Sequence, residues 1–230
     1  MKADLPQREY RYERKFFVDQ LDAPQVIALL KLHPAMFAEI YPPRYINNIY
    51  MDTPWMENYF DNVAGLTERK KARLRWYHDL FQQIDAPQLE FKLKRGLVGT
   101  KLQYPFPAFS FGAGFNPERF TDIIREADLP QVAKNHLLSL EPVLVNRYKR
   151  WYFATPDRAF RVTVDADLTF YHLNKFSNRF LYKQINRHSI VVELKYQVEH
   201  DPQASRITAG FPFRMTRSSK YVQGIERVYL

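Results

Sequence analysis

Six short segments of this chain alternate apolar and charged residues at a period of two, and that pattern constrains the fold more than any other feature. They are Arg11-Tyr12-Glu13-Arg14-Lys15, Arg73-Leu74-Arg75-Trp76-Tyr77, Glu90-Phe91-Lys92-Leu93-Lys94, Tyr148-Lys149-Arg150, Arg161-Val162-Thr163-Val164-Asp165 and Glu193-Leu194-Lys195. In a β-strand, residues i, i+2 and i+4 share a face. Each segment therefore sets its charges on one face. The opposite face carries Tyr12 and Phe16, Leu74 and Trp76, Leu89, Phe91 and Leu93, Val162 and Val164, or Val192, Leu194 and Tyr196.

A half-buried antiparallel sheet is ordinarily apolar inside and polar outside, so a solvated outer face is the plain reading of such alternation. Two details bring a binding face level with it. The charged face is poor in Thr, Ser and Gln, and it repeats Arg-x-Arg and Glu-x-Lys. Two guanidiniums roughly 7 Å apart on one strand repel unless an anion lies between them.

The chain has 230 residues, with 34 Lys and Arg against 25 Asp and Glu, a formal net charge of +9. The excess fits an anionic partner: nucleic acid, a phosphorylated metabolite and acidic lipid all satisfy it. There are 18 Phe, 15 Tyr and 3 Trp, which favours strands around a packed interior. No cysteine is present, so disulfides, thiol chemistry and Cys-ligated zinc are excluded. Met1 to Tyr10 lacks the apolar core of a signal peptide, and no window approaches the ~18 apolar residues of a membrane span. The expected compartment is the cytoplasm.

Strands are predicted at Tyr10–Val18, Tyr45–Met51, Lys71–Tyr77, Leu89–Lys94, Val143–Phe153, Phe160–Asp167 and Ser189–Tyr196. Gly96 and Gly99 frame a turn leading to Lys101. A helix capped by Asp22, with Pro24 in its first turn, should stop before Pro34. Trp55–Val63 reads as a short helix or irregular structure, Asp79–Pro87 as a long loop, and Pro105–Phe115 as an irregular packed loop. Pro117–Leu140 reads as helix with a break at Pro130, and the tail from Arg217 as a closing helix or turn. The expected whole is one domain over 1–230. It is α+β and mainly antiparallel β, with about eight strands closed into a barrel, the charges in its lumen and a few helices covering the outer faces. Removing the tail is expected to leave much of that barrel folded.

A ring of Arg and Lys can neutralise several phosphates, Arg bidentately and Lys as a movable point charge. Glu13, Glu90, Asp165 and Glu193 bring carboxylates to the same face. Each either pairs with a neighbouring cation or joins a divalent ion to phosphates. Other chemistries find no support. The six His, at 33, 78, 136, 172, 188 and 200, show no ligand spacing, and there is no P-loop, Gly-x-Gly-x-x-Gly or serine elbow.

Taken in order, Tyr12–Phe16, Asn47–Pro54, Ala72–Tyr77, Leu89–Lys92, Tyr148–Arg150, Arg161–Asp165, Val192–Lys195 and Ser218–Tyr221 resemble the VTC domain. This is the polyphosphate polymerase branch of the triphosphate tunnel (CYTH-like) superfamily. The resemblance implies an eight-stranded tunnel that moves the γ-phosphoryl group of ATP onto inorganic polyphosphate, with Mn²⁺ or Mg²⁺. It implies catalytic roles for Arg73, Arg75, Lys92, Arg150 and Lys220, phosphate contacts for Lys15, Lys101, Arg161, Lys195 and Ser219, and metal binding by Glu193. No specific nucleic acid partner is implied. Export of product would call for association with a separate membrane protein. Hydrolytic members carry Glu-x-Glu-x-Lys on the first strand, whereas Arg11 stands at the first of those positions here. That difference favours the polymerase over a triphosphatase. A non-enzymatic polyphosphate- or RNA-binding module is the third reading.

Overall fold

A computed structural model describes residues 11–96, 98–176, 178–186 and 189–230. Tyr10, assigned to the first strand from sequence, and His188 lie outside them. In chain order the elements are β1 (Arg11–Val18), α1 (Ala23–Lys31), β2 (Ala38–Asp52), α2 (Glu57–Ala64), β3 (Glu68–Tyr77), β4 (Gln82–Ile84), β5 (Gln88–Arg95), β6 (Val98–Pro105) and β7 (Phe109–Phe111). Then follow α3 (Pro117–Glu126), α4 (Gln131–Leu138), β8 (Glu141–Ala154), β9 (Phe160–His172), β10 (Gln184–Asn186), β11 (Ile190–Gln197), α5 (Asp201–Ala209) and α6 (Lys220–Tyr229).

Eight strands hydrogen-bond in the order β9-β11-β1-β6-β5-β3-β2-β8, and β8 pairs with β9 to close the ring. Every pairing is antiparallel. The period-two segments supply most of this ring. β2 begins seven residues earlier than alternation indicates, because register shifts at Glu39/Tyr41 and Tyr41/Arg44 carry Pro42 and Pro43 through the ladder. The loops expected to be irregular contain a two-stranded ladder, β4 with β7.

Helix ends follow their sequence signals. Asp22 and Gln25 form a reciprocal capping box, each side chain meeting the other's backbone N–H at 2.8 Å. Asn116 caps α3, and the chain breaks at Pro130 between α3 and α4 as expected.

Apolar strand faces pack outward under the helices and aromatic loops. Leu74, Trp76, Leu89 and Phe91 meet Phe106, Phe109, Phe111 and the α3–α4 pair. On the other side, Phe16, Val162, Val164, Val192 and Leu194 pack with α1 and Phe211. Helix α6 departs from this scheme and lies against inner-face residues. Its Tyr221 and Ile225 cluster with Tyr50, Leu144, Tyr148 and Phe170. Asp52 fastens it by accepting the Tyr221 hydroxyl along with the N–H groups of Thr53, Asn58 and Tyr59. The tail expected as a closing helix or turn is thus a helix that packs into the core and brings its first turn to the lumen. Among the described residues no helix is long and apolar enough to cross a membrane.

Candidate anion-binding lumen

Ten cationic and two acidic side chains line one cavity inside the ring. Strand β3 contributes Lys71, Arg73 and Arg75, and β1 contributes Arg11, Glu13 and Lys15. Lys92 and Lys101 come from β5 and β6, Arg150 from β8, and Glu193 and Lys195 from β11. Ser219, Lys220 and Tyr221 enter at the start of α6. Period two explains the placements on the strands, since the alternate residues of the same strands form the outer core, whereas Ser219, Lys220 and Tyr221 arrive consecutively on the first turn of α6.

Two carboxylates sit behind the lining and organise it. Glu90 takes Arg73 at 2.6 Å and Lys101 at 2.9 Å, with Arg75 at 3.8 Å. The anion that an Arg-x-Arg pair requires is thus partly supplied by the protein. Burial pushes the Glu90 carboxyl up, but Arg73, Arg75 and Lys101 outweigh it and hold it well below the usual range. Arg75 also donates to Asn48 at 3.0 Å and to the Tyr148 hydroxyl at 3.2 Å, which aims its fork. Asp165 is completely buried and receives Arg150 at 2.5 and 2.6 Å and Lys220 at 2.5 Å. Burial raises its carboxyl, and Arg150 and Lys220 overcome that effect to lower it.

Glu193 lies among four cations: Lys195 at 2.9 Å, Lys15 at 3.3 Å, Lys220 at 3.5 Å and Arg150 at 3.8 Å. Burial works to raise its carboxyl; the surrounding ammoniums and guanidinium bring it well below normal. Glu13 pairs with Lys92 at 2.6 Å and is a diagonal neighbour of Glu193 across the β1–β11 ladder.

The structure brings together ten of the eleven site residues picked out from sequence. Arg161 is the exception. It shares a face with Lys195 through their register pairing, but it is exposed at the end of β9 and does not line the cavity. A terminal strand position keeps the period while losing the enclosure.

Lys71 was passed over in the sequence reading. Its Nζ donates to Ser219 Oγ at 2.8 Å. Among the described residues it has no carboxylate within ion-pair range. Burial and the charges of Lys15, Lys92, Arg69 and Arg73 all push its ammonium well below the usual lysine value. The signal was present in the run Lys71-x-Arg73-x-Arg75. Burial likewise lowers Lys92, to about 8, against the opposing pull of Glu13.

An eight-stranded antiparallel ring with a basic lumen and covering helices defines a triphosphate-tunnel barrel. The chain belongs to the VTC domain family, whose model matches residues 10–229. Among solved structures, a candidate adenylate cyclase from Bacillus halodurans aligns with 97% of this chain and 99% of its own, at 13% identity and a TM-score of 0.54, which shows a shared fold. A second candidate adenylate cyclase, from Vibrio parahaemolyticus, covers 92% of this chain and 97% of its own at 11% identity and a TM-score of 0.49. No curated protein matches the sequence.

Proposed function

We propose that the chain is an ATP-dependent polyphosphate polymerase, which moves the γ-phosphoryl group of ATP onto a growing polyphosphate and releases ADP. The observation that carries this reading is the lumen, where ten cations face two carboxylates. The cavity measures about 130 Å³, below the roughly 300–1,000 Å³ of ordinary small-molecule pockets. That size suits an unbranched run of phosphates.

Phosphoryl transfer passes through a loose transition state whose charge spreads over the equatorial oxygens. Catalysis is then chiefly positioning and charge neutralisation. Arg73 and Arg75, oriented by Glu90, are placed to grip phosphate oxygens bidentately. Lys220, oriented by Asp165, and Arg150 face the same space, while Lys15, Lys92, Lys101 and Lys195 extend the positive lining along the chain. No covalent protein intermediate is needed.

A small hard cation commonly takes one or two carboxylates and completes its shell with substrate phosphates and water. Glu193 and Glu13 are diagonal neighbours in the lumen and form such a donor set; phosphates would take over their present lysine partners. Mn²⁺ or Mg²⁺ held by Glu193 and Glu13 would supply further neutralisation of phosphate charge. The reading takes ATP and inorganic polyphosphate as partners, requires no specific nucleic acid, and places the protein in the cytoplasm beside a separate membrane protein.

Incubation with ATP and Mn²⁺ tests it. Long polyphosphate with stoichiometric ADP is the expected result. Short phosphate products would replace it with a hydrolase, and binding without turnover with a polyanion-binding module.

A further inference from the structure

The loop between β9 and β10 has a composition of its own, and none of its residues lines the lumen. From Asn174 to Lys183 the sequence has three cations, Lys175, Arg179 and Lys183, four large apolar side chains and no carboxylate. Two residues tie the loop down. Asn178 is buried; its side-chain amide donates to the carbonyls of Phe115 and Asn174 at 3.1 and 3.0 Å, and its Oδ1 accepts the Asn174 N–H at 2.8 Å. Phe180 turns inward against Phe111, Phe81 and Tyr171, with ring centres 4.9, 5.2 and 6.0 Å away. It holds a left-handed backbone, φ 53°, which that packing sustains. The other three apolar side chains stay off the barrel: Phe176 and Leu181 are each 74% exposed and Tyr182 is 90% exposed. Arg179 and Lys183 beside them are exposed and, among the described residues, have no carboxylate in ion-pair range. Lys175 reaches Glu141 at 3.1 Å on the surface.

Single exposed apolar residues are ordinary. Three on one anchored loop, interleaved with cations, form a surface that suits a particular medium. We infer that this loop docks on an anionic membrane, where Phe176, Leu181 and Tyr182 enter the boundary between headgroups and acyl chains while Lys175, Arg179 and Lys183 meet lipid phosphates. The apolar side chains gain by burial at that boundary, and each cation gains from the negative surface potential. A tyrosine suits headgroup level, with its ring apolar and its hydroxyl wet. A second copy of this chain is a poorer occupant, because a two-fold contact sets the same cations against themselves. RNA would pair with the cations and stack on Phe176 and Tyr182, but it leaves Leu181 without a partner. Docking does not depend on the reaction in the lumen.

Vesicle flotation titrations of the full chain test this, with phosphatidylcholine alone or with about one-quarter phosphatidylglycerol. Binding to the anionic vesicles is expected to be at least about tenfold tighter than to the neutral ones. Leu181→Ser with Tyr182→Ser should weaken anionic binding about tenfold with no change of charge, and Arg179→Ser with Lys183→Ser by a similar factor. All four residues are exposed and outside the lumen, so affinity for inorganic triphosphate should stay unchanged. A loss with the cation pair but none with the apolar pair would mean that net charge alone holds the protein on the vesicle, and would overturn the docking surface. So would an absence of vesicle binding together with a dimer, or an oligouridylate complex, that the apolar pair disrupts instead.

Discussion

Lys71 and Ser219 lie 148 residues apart in sequence and meet at 2.8 Å inside the barrel. The contact ties the middle of β3 to the residue that caps α6, so the helix entering the lumen is anchored on a cation that no carboxylate among the described residues neutralises. Buried charge of that kind opposes folding and favours anion binding at once.

Lys71→Met is therefore expected to stabilise the free protein by about 1 kcal/mol, raising Tm by roughly 2–4 °C. It should also weaken inorganic triphosphate binding by at least about tenfold, the loss of one charge-assisted contact. Thermal melts and calorimetry check the pair; a fall in Tm would mean that the Ser219 contact outweighs the repulsion.

Phosphate binding is expected to draw protons into the protein above pH 8. Burial sets Lys92 at about 8 in the fold, below the usual 10.5. A bound phosphate favours the ammonium and raises that value again. Between about pH 8 and 10.5 the complex then holds more protons than the free protein, and affinity falls as pH rises through that window. In the free protein the folded state holds fewer protons than the unfolded one there, so stability rises with pH over the same window. Calorimetry at pH 9 in buffers of different ionisation enthalpy measures the uptake.

Asp165→Asn and Lys220→Ala should separate stability from turnover. Removing the fully buried carboxylate leaves Arg150 and Lys220 with only the longer contacts to Glu193, at 3.8 and 3.5 Å, and should cost about 3 kcal/mol. Removing Lys220 leaves Asp165 with Arg150, so the fold should survive. Polyphosphate synthesis is expected to fall about a hundredfold. Denaturant unfolding and the turnover assay read the two effects.

Gly224→Ala tests how closely α6 must approach. A Cβ there would come 2.4 Å from Leu144 Cδ2 and 2.7 Å from Phe170 Cδ1. Lifting the helix to relieve these contacts should cost about 1–3 kcal/mol. Because Lys220 sits one turn earlier, turnover should drop as well, although residue 224 is not itself part of the lumen lining.

Glu193→Gln should raise the Mn²⁺ concentration for half-maximal binding in the presence of inorganic triphosphate by about tenfold or more, comparable to losses at metal-supporting groups. Electron paramagnetic resonance of free Mn²⁺ measures it. An unchanged curve would leave Glu193 as an ion-pair partner of Lys195 and Lys15 alone.

Alternation of charged and apolar residues made the ring strands readable, because a closed barrel with opposite chemistry on its two faces imposes a strict period of two. The same rule reaches Lys71, two residues before Arg73, and overreaches at Arg161, where the strand leaves the enclosure. Cross-strand partners were hidden: that Glu90 would hold both Arg73 and Lys101, or that Asp165 would collect Arg150 and Lys220, depends on register and on the path of the tail. The apolar spacing of Tyr221 and Ile225 indicated a packed helix but not which side of the sheet it would join. Strands β4, β7 and β10, at three residues each, are too short for alternation to register.

Closure of the ring also distributes its strength unevenly. Among the described residues β1 and β6 meet at only two register positions, Arg11 with Gly99 and Tyr12 with Val98, whereas each of the other seven junctions runs over six or more. A breathing barrel parts first at its shortest ladder, so the lumen is expected to widen along β1 and β6, beside Glu13 and Lys101, before it widens elsewhere.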